Sequence, residues 1–254
     1  MKNETLSENL SKVPALTFMF WIIKIAATTL GETAGDAVSM SMDLGYLVST
    51  AIFAAVFFIA VAVQIKAKQY HPFIYWTTIV ATTTVGTTLA DFATRSLGIG
   101  YAGGSLLLAA LLALSLFVWH KTMGHVNVKD LRLPKAEMFY WVTIMFSQTL
   151  GTALGDWTSD SAGMGYLGAA VLFGGLLAVL VALYLWTKTS RTFLFWSAFI
   201  LTRPLGAVLG DFLHKPIENG GLALSRFSAS GVLLAFMVIC ILIFRQRRTT
   251  AKAY

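Results

Sequence analysis

Apolar residues fill eight long stretches of the chain, near 14–39, 45–65, 73–95, 99–119, 137–159, 164–186, 193–214 and 222–244. Each suffices to cross roughly 30 Å of hydrocarbon, which takes about 20 helical residues. The stretches alternate in kind. Odd-numbered ones are broken by small, hydroxylated and acidic residues at helical spacing, whereas even-numbered ones, such as 47–63 and 106–119, are plain apolar spans. The pattern predicts an all-α polytopic membrane protein of about eight transmembrane helices, with the plain helices surrounding the interrupted ones.

The interrupted stretches are copies of one another. Residues 21–46 read W-I-I-K-I-A-A-T-T-L-G-E-T-A-G-D-A-V-S-M-S-M-D-L-G-Y, and further copies start at Trp76, Trp141 and Trp196. Superposed without gaps, they align Gly31, Gly86, Gly151 and Gly206, and five residues on, Asp36, Asp91, Asp156 and Asp211. The first two starts are spaced like the last two, as expected of a duplicated unit duplicated again. The reading is one transmembrane domain, 1–254, with repeats near 14–68, 69–122, 134–188 and 189–246. One motif helix plus one plain helix returns the chain to its starting side. The repeats are therefore parallel, related by a pseudo-four-fold or nested two-fold axis along the membrane normal.

Composition agrees: 57% of residues are hydrophobic and 12% charged, against about a quarter charged in soluble domains. The first apolar stretch is too long for a signal peptide and is read as a retained helix. Cys240 stands alone, so no intrachain disulfide forms. Basic residues gather at the amino end, after the second, fourth and sixth helices, and in the tail. They are Lys2, Lys12, Lys66, Lys68, Lys121, Lys129, Arg132, Lys135, Lys188, Arg191, Arg245, Arg247, Arg248 and Lys252. The opposite side has only Arg95, Lys215 and Arg226. The positive-inside rule then places both termini in the cytoplasm. The basic loop 120–135 reads as a topology signal beside anionic lipid, so the lipid bilayer is the expected partner and nucleic acid is not.

Within each motif helix, the path from Trp21 to Asp36 rises about 22 Å at 1.5 Å per residue. The four aspartates should share one level toward the outer face. Helical spacing adds Lys24, Thr28 and Glu32 below Asp36, Thr87 below Asp91, Gln148 and Thr152 below Asp156, and Arg203 below Asp211, with His214 just beyond. A central charge facing lipid costs roughly 2.5–3.5 kcal/mol, so this stripe faces the bundle interior. Gly31/Gly35, Gly151/Gly155 and Gly206/Gly210 read as small-xxx-small packing pairs, with Ala90 replacing the second glycine after Gly86. Glu32, Asp36, Asp91, Asp156 and Asp211 converge hard oxygen ligands that suit Mg²⁺, Mn²⁺ or Ca²⁺, and His214 offers one nitrogen. Lys24 and Arg203 read as neutralising partners of Glu32 or Asp211, or as stand-ins for a cation at rest. The four tryptophans read most simply as interfacial anchors. Pro204 should kink or break its helix.

The quadruple T-L-G-x-x-x-G-D pattern, with the G-Y that opens the next helix, resembles a family of bacterial integral membrane proteins built from four copies of a short repeat and of unknown function. The resemblance covers about 15–245 and implies a multi-pass protein of the bacterial inner membrane. It supplies no substrate. The residues themselves point to a cation transporter, divalent in class and proton-coupled, with the cation as substrate and no cofactor. Small organic cations stay open as substrates, since seven Trp and eight Tyr are available. Glu32 and Arg203-Pro204 each occur in one copy only, an asymmetry that favours a carrier over a channel. The alternative is a non-transporting membrane sensor or scaffold. Less favoured is an intramembrane aspartyl protease, because the expected G-x-G-D has Thr33, Ala153 or Val208 at its first glycine. The expectation is no enzyme, and the oligomeric state is left open.

Overall fold

The computed structural model describes residues 10–67, 69–126, 133–244 and 248–250. Among the described residues eight α-helices dominate: α1 Phe18–Asp36, α2 Gly45–Lys66, α3 Pro72–Asp91, α4 Gly100–Met123, α5 Pro134–Asp156, α6 Gly165–Trp186, α7 Arg191–His214 and α8 Arg226–Ile243. Leu10–Pro14 (β1) pairs antiparallel with Arg248–Thr250 (β2). Lys2, Lys68, Lys129, Arg132, Arg245, Arg247, Lys252 and part of the 120–135 loop lie outside the described residues.

Helix starts follow local chemistry. The Phe20 N–H donates to Thr17 Oγ1 (3.2 Å) and the Phe193 N–H to Ser190 Oγ (3.4 Å), satisfying orphan donors of α1 and α7. Pro72 and Pro134 open α3 and α5, where a missing N–H costs nothing. Past their aspartates, α1, α3 and α5 each run into one π-helical turn, Ala37–Ser41, Phe92–Ser96 and Trp157–Ser161. The chain then reverses through left-handed backbone at Asp43, Gly98 and Gly163, two residues before the glycines that open α2, α4 and α6. Aspartate is one of the few residues with a side chain that occasionally adopts this conformation, because its short polar group can hydrogen-bond locally.

The fourth copy departs from this scheme. After His214 the chain folds back, and the N–H groups of Leu222, Leu224 and Ala223 donate to the carbonyls of Phe212, Leu213 and Lys215 at 2.8, 2.9 and 2.9 Å. These bonds cap the last turn of α7 and delay α8 to Arg226. The break expected at Pro204 does not occur. Helix α7 runs through it at the loss of one i→i−4 bond, and Pro204 packs into the space that Gly151 and Gly155 leave on α5.

Helices α1, α3, α5 and α7 form an inner ring in chain order, closed by α7 against α1. The plain helices surround it with a shift: α2 covers α3, α4 covers α5, α6 covers α7 and α8 covers α1. Each plain helix thus leans on the motif helix of the following repeat. The outward faces are apolar, with Leu106 75%, Val171 76% and Val232 70% exposed, while threonines, Lys24 and Arg203 are buried inside. Helices α2, α4, α6, α7 and α8 are long and apolar enough to cross a membrane. The other three motif helices carry the polar stripe. This inside-out distribution is compatible with a bilayer around the ring.

Candidate functional site

The inner ring closes on its glycines. A methyl added at Gly31 would meet Thr83, at Gly86 Gln148, at Gly151 Arg203 and at Gly206 Thr28. Each glycine therefore receives the residue three positions before the next copy's glycine, and the fourth passes the contact back to the first. Gly35, Gly155 and Gly210 repeat the relation against Thr87, Ala207 and Glu32. Ala90, which breaks the pattern, is buried beside Leu150 and Ala153. Where backbones approach this closely, hydroxyls bridge them. Thr83 Oγ1 donates to the Ala27 carbonyl (3.2 Å), and Thr28 Oγ1 does the same to Thr202 (3.1 Å).

One end of the ring is closed by aromatic rings. Phe20 packs on Trp76 (5.4 Å between centroids), Tyr75 on Trp141 (6.0 Å), Tyr140 on Trp196 (6.1 Å) and Phe195 on Trp21 (6.3 Å). This corrects the reading of the tryptophans as interfacial anchors. Trp76, Trp141 and Trp196 are buried and Trp21 is half-buried. The physical reason is the cyclic order, which gives every tryptophan a ring from the preceding repeat to pack on.

Above this girdle lie Lys24, Ile79, Ile144 and Phe199 at one level, then Thr28, Thr83, Gln148 and Arg203. Arg203 reaches across the axis to all three other motif helices. Its Nη2 donates to Glu32 Oε2 (3.0 Å), Thr87 Oγ1 (2.6 Å) and Thr152 Oγ1, and its Nη1 to the Thr28 carbonyl (3.2 Å). Glu32 also accepts from Thr87 Oγ1 at 3.2 Å. Arg203 is thus the partner of Glu32, and it is not the partner of Asp211. Lys24 pairs with neither carboxylate; its ammonium rests 4.2 Å from the centre of the Phe199 ring.

Asp36, Asp91 and Asp156 end α1, α3 and α5, Asp211 stands in the last turn of α7, and the four divide into two bridged pairs. Arg95 Nε lies 3.0 Å from Asp91, and its Nη2 lies 3.4 Å from Asp156. Lys215 Nζ lies 3.3 Å from Asp211 and 3.6 Å from Asp36. In both pairs the cation sits four residues after its own aspartate and reaches the next copy's. His214 Nε2 adds contacts at 2.9 Å to Asp36 and 3.6 Å to Asp211, while Nδ1 faces the Gly210 carbonyl at 2.8 Å. Arg226 approaches Asp36 at 4.0 Å. Burial by itself would lower the Lys215 pKa, but the Asp211 and Asp36 carboxylates hold it above the ordinary lysine range, so the ammonium stays charged.

Of the five carboxylates expected to form one metal set, Asp36 and Asp211 come together with His214: one ligand atom from each lies within 4.8 Å of the others. Asp91 and Asp156 are held apart as the Arg95 pair. Glu32 stands one turn away on Arg203. The sequence reading left Arg95, Lys215 and Arg226 on the outer side without a role, yet all three turn inward onto aspartates. Their signal was present for two of them, in the spacing of four from Asp91 and Asp211.

The chain matches a family described as Repeat of Unknown Function (DUF347) at residues 19–70, 74–125, 139–190 and 194–249. No curated protein and no solved structure matches it. Four matched copies span most of the sequence, and the chain belongs to this four-repeat family of unknown function.

Proposed function

We propose that the protein is a multi-pass carrier of the bacterial inner membrane, with both termini cytoplasmic, that moves a divalent cation in exchange for protons. The observation that carries this reading is the convergence of Asp36, Asp211 and His214 from the two helices where the ring closes. Two carboxylates and an imidazole offer oxygen and nitrogen ligands to Mn²⁺ or a similar ion. Lys215 holds positive charge between the same carboxylates at rest, and an entering cation takes its place. Further along the axis Arg203 bridges all four motif helices, so passage requires that side chain to let go. A moving plug of this kind belongs to a carrier and not to an open channel.

The test is uptake of Mn²⁺, Mg²⁺ and Ca²⁺ into proteoliposomes. Flux should fall to background in Asp36→Asn and Asp211→Asn and should persist in Asp160→Asn. Unchanged flux in the first two sinks the reading.

A second reading, a cation-responsive membrane sensor without transport, is favoured by one observation: each of the four repeat aspartates already has a resident cationic neighbour. Calorimetric Mn²⁺ binding without flux would select it. Neither reading assigns the aspartates a catalytic role.

A further inference from the structure

Between the aromatic girdle and the Arg203–Glu32 pair, buried polar groups, most of them donors, have no hydrogen-bond partner among the described residues. The Lys24 ammonium is fully buried and has no hydrogen-bond partner among the described residues. Gln148, on the adjacent level, is fully buried with both amide atoms unpartnered, and Arg203 Nε is unpartnered as well. The nearest acidic group in this register, Glu32, is already engaged by Arg203 and Thr87. The interior therefore gathers two cationic side chains around one carboxylate. A buried, unpaired ammonium is costly unless it gives up its proton or a counter-charge reaches it, and an anion bound here would hold it charged.

We infer that this part of the axis is a binding site for a small organic carboxylate anion, held by Lys24 and Gln148 against the Phe199 ring. A carboxylate offers about four lone-pair sites in one plane, enough for the ammonium, the Gln148 amide N–H and Arg203 Nε together. Ile79, Ile144 and Phe199 share the Lys24 level and give a hydrocarbon or aryl body an apolar wall. A bare inorganic anion would leave that wall unused, and a cation meets Lys24 and Arg203 as like charges. The site lies on other levels than Asp36, Asp211 and His214 and does not depend on the cation reading.

The experiment uses the full chain in nanodiscs, titrated with sodium benzoate, sodium acetate, sodium phosphate and sodium chloride, read by intrinsic tryptophan fluorescence and thermal unfolding. Benzoate should bind saturably and raise the unfolding temperature, with acetate weaker. Lys24→Met should weaken benzoate binding tenfold or more, and Gln148→Leu severalfold. If Lys24→Met does not fold, Gln148→Leu decides. No saturable response to either carboxylate, unchanged affinity in the folded variants, or an equal response to chloride or phosphate would overturn the inference. Mn²⁺ binding, measured in the same variants, should be unaffected; its failure in the native protein would bear on the cation reading alone.

Discussion

Arg203 of the fourth repeat and Glu32 of the first meet 3.0 Å apart on the axis, with both side chains buried. The pair exists only because the ring closes, and it fastens the last motif helix to the first.

Breaking one side of that pair should cost more than removing it. Glu32→Gln or Arg203→Met alone leaves a buried charge unanswered, an effect of about 3–5 kcal/mol. Thermal unfolding in nanodiscs should show the Glu32→Gln/Arg203→Met double variant more stable than Glu32→Gln or Arg203→Met alone. A double variant less stable than each single one refutes the pairing.

The glycine contacts make a sharper contrast. Gly206→Val drives a side chain into Thr28 and should destabilise by about 1–3 kcal/mol. Gly174, in α6, has nothing within 4 Å of an added methyl. Gly174→Ala should be neutral or stabilise by about 0.5–1 kcal/mol through helix propensity. Equal effects from the two substitutions would contradict the cyclic packing.

The tryptophans can be located by quenching. Trp186 is 81% exposed and Trp157 43%, whereas Trp76 and Trp141 are buried. In a Trp157→Phe/Trp186→Phe background, lipids brominated near the headgroup should quench the remaining fluorescence weakly. Strong quenching would restore the anchor reading.

Lys215 sets a pH signature. Its folded pKa is raised, so its stabilising contribution is present throughout the range below about 10.4, the ordinary lysine value, and is lost only as pH climbs through the raised value. The melting penalty of Lys215→Met should therefore be the same at about pH 8 and about pH 9. A penalty that disappears by the higher pH would show that the carboxylates do not hold the ammonium.

The sequence disclosed whatever depends on one repeat read against itself. Helical spacing placed Thr28, Glu32 and Asp36 on one face, and the aligned glycines marked where backbones approach. The plain helices read as a surrounding layer, and they are one. What depends on the order of repeats around the ring could not be read from a linear pattern. The stacking of Phe20 on Trp76 and the reach of Arg203 to Glu32 both need that order. The Lys215 bridge to Asp36 also needs the last copy to lie beside the first, although its own spacing from Asp211 was visible. The seat of Pro204 against Gly151 and Gly155 needs that order too.

Because each plain helix covers the motif helix of the repeat after it, no repeat covers the outer side of its own motif helix. A half-length chain would end with α4 searching for an α5 and begin with α1 lacking its α8. Two such halves would complete one another, so a chain of half this length would have to pair with a second copy to bury the same surfaces.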